Sequence, residues 1–158
     1  GAAAATIHGR LVDVLEGEMV PDTVSRADPA GLRGAGLSAA KLKAILDLAG
    51  KAASGELLLE EDHLEPMDNA AIVKHLTAVW GVGRWTAHMF LMFRMGRPDV
   101  WPTGDLGVRA GWARIHQIER PSAEALETAA DHLRPWRSAV AWYCWRAIEL
   151  RDPDPEAT

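Results

Sequence analysis

The chain has 158 residues, 48% of them hydrophobic, enough for one domain, or two small lobes sharing a core, that buries about 68–70% of its unfolded surface. No apolar run approaches the ~20 residues that span a bilayer, the alanine-rich start lacks the basic flank and long apolar stretch of a secretory signal, and the single cysteine, Cys144, can form no internal disulfide, so an intracellular, cytoplasmic protein with no membrane partner is expected. The net charge of −5 argues against nucleic acid as a partner of the chain taken whole.

Helical periodicity dominates the chain from its start. Ile7, Leu11, Val14 and Leu15 predict a helix over Ala2–Leu15. Gly17, Pro21, Asp28, Pro29 and Gly31 then punctuate a loop-rich connection, with one short helical turn near Val24. Ser38 is placed to cap a helix running to about Ala53, whose stripe of Leu42, Ile45, Leu46 and Ala49 is core; Lys41 and Lys43 lie off that stripe, solvated or bound to phosphate. Glu56–Glu65 reads as a turn of helix or a loop, and Asp68 caps a helix over Asn69–Val79. A helix from Arg84 to about Met95 ends at Gly96, with Pro98 beyond it. Asp99–Gly104 is a loop in which Val100, Trp101 and Pro102 pack as a short extended plug, and a helix follows from about Leu106 to His116. Ser122 caps Ala123–Leu133, Pro135 opens a last helix over Trp136–Leu150, and Arg151–Thr158 is a polar, frayed tail. No stretch alternates as a strand does, so the class is all-α, with residues 1–150 as the domain and residues 151–158 as the tail.

The segment Leu76–Arg109, LTAVWGVGRWTAHMFLMFRMGRPDVWPTGDLGVR, organises the rest. Gly81 and Gly83 flank Val82 between two helical segments, and glycine there permits left-handed backbone angles and the close approach of another backbone. The first N–H groups of the helix that Gly83 opens, those of Arg84, Trp85 and Thr86, point out of its positive end, where a phosphate accepts them. A tight helix-helix turn with no ligand is the other reading of these glycines. The charge is unevenly distributed: residues 72–118 hold six basic and two acidic side chains, 6 − 2 = +4, leaving −5 − 4 = −9 for the remainder. An acidic body with a basic central segment can hold DNA, although a salt-bridged surface with chance clustering has the same composition.

GVGRWTA followed by WPTGDLGVR, with GLSAAKLKAILDLA at Gly36–Ala49 and RPWRSAVAWYCWR at Arg134–Arg146 in the same order, resembles the helix-hairpin-helix (HhH-GPD) DNA glycosylase superfamily. The resemblance is to its branch of DNA-3-methyladenine glycosylase II type, which removes alkylated bases, and it covers most of the chain, with the hairpin motif at about residues 69–95. One departure lies in the hairpin, where Trp80 stands in place of the family's usual proline.

The resemblance implies a site. Asp105 lies 105 − 83 = 22 residues after the last hairpin glycine, at the spacing of the family's catalytic aspartate, which stabilises an oxocarbenium-like sugar or orients the attacking water. Gly81, Val82, Gly83, Arg84 and Thr86 fall on its DNA-binding positions. Trp85 and Trp145 fall on aromatic walls of the pocket for a flipped base, and Met89, one turn after Trp85, on its floor. An alkylated purine can be cationic, and an indole face attracts a cation by ~0.5–2 kcal/mol. Bifunctional relatives carry a Schiff-base lysine where this chain has Trp85, and no lysine follows Lys74, so a monofunctional hydrolase is implied. Its partner would be double-stranded DNA bearing alkylated bases. No cofactor is required, a monovalent cation is implied on the backbone carbonyls of Thr77, Val79 and Val82, and one cysteine cannot hold the iron-sulfur cluster of the endonuclease III-like branch.

Two alternatives stand beside this reading. Asp105 is equally suited to be only a helix N-cap and the tryptophans to be only core, which would make the chain a non-catalytic helix-hairpin-helix DNA-binding module. In the family, moreover, a helix ending in a Gln-Gln-hydrophobic-Ser pattern precedes the segment matching Ala2–Leu15 and fills the gap left by the flipped base; this pattern does not occur here. The expectation is therefore an N-terminally truncated glycosylase domain, weakly active or inactive alone. Its uncovered face of Ile7, Leu11 and Val14 would favour self-association.

Overall fold

The computed structural model describes residues 2–150, which form ten α-helices, one π turn and one 3₁₀ turn, with no strand among them. No helix among the described residues is long and apolar enough to cross a membrane. The polar tail expected at Arg151–Thr158 lies outside the described residues. The chain divides between Ala87 and His88 into two compact units.

In the first unit α1 (Ala2–Val14) is followed by two short helices, α2 (Pro21–Arg26) and α3 (Pro29–Gly34), where the sequence predicts mostly loop. Proline starts both, with its φ already helical and no N–H to satisfy, and the Asp28 carboxylate caps α3 by accepting from the N–H groups of Ala30 and Gly31. Ser38 caps α4 (Ala39–Ala53) as predicted, accepting from Lys41 N–H. α2 and α3 pack on α4, and α1 packs on α3. Leu15, Val24, Leu32, Leu37 and Ala49 form the buried cluster at the centre of this packing. This corrects the expected open face on α1, because Ile7 and Leu11 are half-buried against that cluster and only Val14 of the three is exposed. The helices within the supposed loop supply the cover, and Ile7 sits directly over Gly36. α5 (Glu61–Leu64) is a single turn, and α6 (Asn69–Leu76), capped by Asp68 through Ala71 N–H, leads into the hairpin.

α7 (Arg84–Met89) crosses from the first unit into the second and widens into the π turn Phe90–Arg94, where Met95 N–H reaches back to the carbonyl of Phe90. In the second unit α8 (Leu106–His116), α9 (Ala123–Ala129) and α10 (Arg137–Glu149) surround a cluster of Trp101, Val108, Trp112, Leu126, Ala141 and Cys144. The predicted helix over Ala123–Leu133 breaks at Ala130 into a 3₁₀ turn, Asp131–Leu133. α8 and α10 meet at Gly111, where any Cβ would lie 1.9 Å from the carbonyl oxygen of Cys144, so only glycine admits this crossing. Val100, Trp101 and Pro102 form the expected plug: all three are buried, and the Trp101 indole N–H donates to the Leu126 carbonyl at 2.9 Å. Trp112 meets Trp101 edge-on at 5.6 Å, so these two tryptophans are core.

Candidate functional site

The hairpin is a turn with a defined hydrogen bond. Val82 N–H donates to the Val79 carbonyl at 3.1 Å, and Gly81, the third residue of the four, has φ +81°. That is the pattern of a type II turn, in which the third position requires a left-handed backbone and the second, here Trp80, takes an ordinary negative φ. A Cβ on Gly81 would also sit 3.1 Å from Cβ of Ala44 on α4. Gly83 is different: its carbonyl accepts from Ala87 N–H to begin α7, and nothing lies within 4 Å of where its Cβ would be. Its smallness is therefore not demanded by anything the protein itself places there. Gly81, Gly83, Arg84, Trp85 and Thr86 are exposed and Val82 half-buried, and Trp85 keeps 54% of its surface accessible. Met89 lies one turn after Trp85 on α7 and is half-buried.

Two residues that the sequence did not single out hold this turn. Trp80 N–H donates to Asp47 Oδ2 at 2.7 Å, while Lys51 Nζ binds Asp47 Oδ1, also at 2.7 Å. The Lys51 ammonium and the Trp80 N–H together keep the Asp47 carboxyl below the usual carboxylate range. Lys43, read as solvated or phosphate-bound, places its Nζ 4.1 Å from the centre of the Trp80 ring. Of the carbonyls considered for a monovalent cation, Val79 already accepts one N–H and retains a second lone pair; Thr77 and Val82 lie in the same loop. These are neutral oxygen donors of the kind a weakly hydrated monovalent ion takes. Among the described residues no group of three His, Cys, Asp or Glu side chains is arranged to hold a metal ion.

In the second unit Asp105 is presented by a loop tied down at both ends. Ser138, at the start of α10, donates its hydroxyl to the Arg97 carbonyl at 2.6 Å, accepts from Val100 N–H at 2.9 Å, and donates its own N–H to Pro98. Arg137, the one buried charged residue among those described, forms a two-pronged pair with Asp99 at 2.6 and 2.9 Å, joined by Arg134 at 3.0 Å. Further along, Thr103 N–H reaches Trp101 and Asp105 N–H reaches Pro102, which turns the chain into α8.

Asp105 caps α8, its Oδ1 accepting from Val108 N–H at 2.8 Å. The same oxygen accepts from the indole N–H of Trp145 on α10 at 2.9 Å. Asp105 is thus an N-cap that also holds a second donor, from 40 residues away. Phe93, in the π turn, stacks on Trp145 with ring centres 5.9 Å apart at 27°, and Gly107 leaves room for the indole: a Cβ there would meet Trp145 at 2.8 Å and Asp105 Oδ1 at 3.1 Å. Sequence reasoning named Asp105 and Trp145 but missed Phe93 and Gly107. The available signal was a glycine inside the first turn of a helix, which marks a close approach. Trp136 and Trp142, on or beside α10, are exposed and belong to neither buried cluster of the described residues.

The family described as "HhH-GPD superfamily base excision DNA repair protein" matches residues 1–135. DNA-3-methyladenine glycosylase 1 of Schizosaccharomyces pombe is 32% identical over 133 residues, covering 84% of this chain and 58% of that protein. The structure of the Schizosaccharomyces pombe 3-methyladenine DNA glycosylase in complex with abasic DNA superposes with a TM-score of 0.85 at 30% identity, over 98% of this chain and 76% of the other. A DNA-3-methyladenine glycosidase from Bacillus halodurans gives a TM-score of 0.82 at 31% identity, over 92% and 67%. The chain spans about half the length of the curated relatives it matches.

Proposed function

The chain belongs to the HhH-GPD superfamily of base excision DNA repair proteins, and from that premise we propose that it acts on DNA as a monofunctional glycosylase, hydrolysing the N-glycosidic bond of alkylated, 3-methyladenine-like bases. The observation that carries the proposal is the double grip on Asp105 Oδ1 by Val108 N–H and the Trp145 indole. Two donors from different helices fix the direction of one carboxylate, as a group that must face a reacting centre requires. The bond between C1′ of the sugar and the base breaks with its electron pair leaving on the base; a base made cationic by alkylation departs neutral. Positive charge then develops on the sugar, and the Asp105 carboxylate stabilises it or orients the water whose oxygen joins C1′ as that water releases a proton to solvent. Each unit carries side chains of the kind a flipped base needs, Trp85 in the first and Met89 and Trp145 in the second. Gly81, Gly83, Arg84 and Thr86 hold the strand through backbone N–H groups and charge, with Val82, whose N–H closes the turn, between the two glycines. A monovalent cation on the carbonyls of Thr77, Val79 and Val82 would add a positive charge beside that strand. With Trp85 where a Schiff-base lysine would stand, the product is an intact abasic site.

The N-cap bond of Asp105 favours one other reading, a DNA-binding module without chemistry. Asp105→Asn separates the two, because asparagine still caps α8 and still accepts from Trp145. Base release from N-methylated DNA should fall by roughly 10²–10³-fold, with duplex affinity and fold retained and no strand nicking by either protein. Undiminished release by the variant would sink the enzymatic reading of Asp105.

A further inference from the structure

Three contacts join the hairpin to one face of α4, at Lys43, Ala44 and Asp47, with Lys51 one turn further along. Trp80 N–H is the central one. It sits at the second position of the turn, where the backbone N–H has no partner within the turn itself, and Asp47 Oδ2 accepts it at 2.7 Å. The carboxylate is held from its other oxygen by Lys51. We propose that Asp47 is a positioning residue for DNA binding, holding the Val79–Val82 turn in its strand-gripping shape through the Trp80 N–H while Lys43 and Lys51 neutralise its charge beside the phosphates. This rests on the reading of the hairpin as the DNA clamp.

The chemistry explains the composition of the latch. A bare carboxylate next to a phosphate-binding turn would repel the strand. Here Lys51 pairs with Asp47, and Lys43 lies over the indole of the residue whose N–H Asp47 holds, so the set of three carries a net +1. Asp47 thereby keeps a strong, charge-assisted hydrogen bond to the turn without presenting a net negative charge to DNA. The apolar side of α4, with Leu42, Ile45 and Leu46, is anchored in the first unit's cluster, so the latch fastens the turn to a packed helix.

The test is binding of the 158-residue chain to a fluorescent duplex carrying a tetrahydrofuran abasic analogue, with thermal melts alongside. Asp47→Ala should weaken affinity roughly tenfold, the loss expected for one hydrogen bond to a charged group, and Asp47→Asn, which keeps an acceptor, should restore most of it. Adding Trp80→Pro to Asp47→Ala should also restore affinity. Proline suits the second position of such a turn and has no N–H to be satisfied. In the wild type, the Trp80 amide should exchange with solvent far more slowly than an unbonded surface amide. This measurement stands even if Asp47→Ala does not fold. Wild-type affinity in Asp47→Ala, failure of Trp80→Pro to rescue it, or fast exchange at Trp80 would each overturn the latch. A wild-type chain that does not bind duplex at all would instead overturn the clamp reading beneath it.

Discussion

Gly81 and Gly83 are two residues apart, yet the protein itself demands glycine only at the first. At Gly81 the requirement is internal: φ is +81° and Ala44 lies against the missing Cβ. Alanine there should cost about 1–2 kcal/mol of stability from the left-handed backbone alone, seen as a lowered Tm with or without DNA. At Gly83 the surroundings are open, so alanine should leave the Tm unchanged. If a DNA strand approaches this backbone, Gly83→Ala should still weaken binding to any duplex, methylated or not. A loss confined to methylated DNA would contradict the sequence-blind phosphate grip.

At the scale of elements, the loop that carries Asp105 depends on the start of α10. The Arg137 guanidinium, with Arg134 beside it, holds the Asp99 carboxyl below the usual carboxylate range. A carboxyl with a lowered folded pKa contributes its full stabilisation above the ordinary value of about 3.9 and loses it as pH falls through the lowered one. Asp99→Asn should therefore be less stable than wild type at neutral pH by about 2–3 kcal/mol, and the gap should close only in acid, below about pH 4. Melts across that range decide it, and a gap that persists unchanged in strong acid would rule out the ion pair as its source. Breaking the pair should also lower base release, since the segment between Asp99 and α8 delivers Asp105.

For the whole molecule, the proposed function requires a chain of net charge −5 to hold a polyanion. The positive excess lies in residues 72–118, although not every arginine there faces outward: Arg109 donates its Nε to the Pro121 carbonyl at 2.8 Å. Arg84, exposed at the first turn of α7, is the basic side chain nearest the turn in sequence. Duplex affinity should fall with salt at a log-log slope near −0.9 per phosphate neutralised, and Arg84→Ala should reduce that slope by about one such step. Salt-independent affinity would remove the electrostatic basis of the proposed function.

Local signals in the sequence determined much of this protein. Helical periodicity and the caps at Ser38, Asp68, Asp105 and Ser122 are written in residues a few positions apart, and all four caps are present. The two-glycine turn was equally legible, because it depends on adjacent backbone rather than on packing, whereas Asp105 was marked by a spacing that the family resemblance supplied. Where proline and a cap fell within what reads as punctuation, around Pro21 and Pro29, the same residues serve a loop or a short helix, and only packing on α4 and α1 selected the helices. The tertiary structure alone decided which side chains meet across the chain: Asp47 with Trp80, Asp105 with Trp145, Arg137 with Asp99. These pairs are 33 to 40 residues apart, and no local propensity encodes them. They arise when apolar helix faces are buried against one another and the polar groups carried inward must find partners, so they become visible only once the helices are packed.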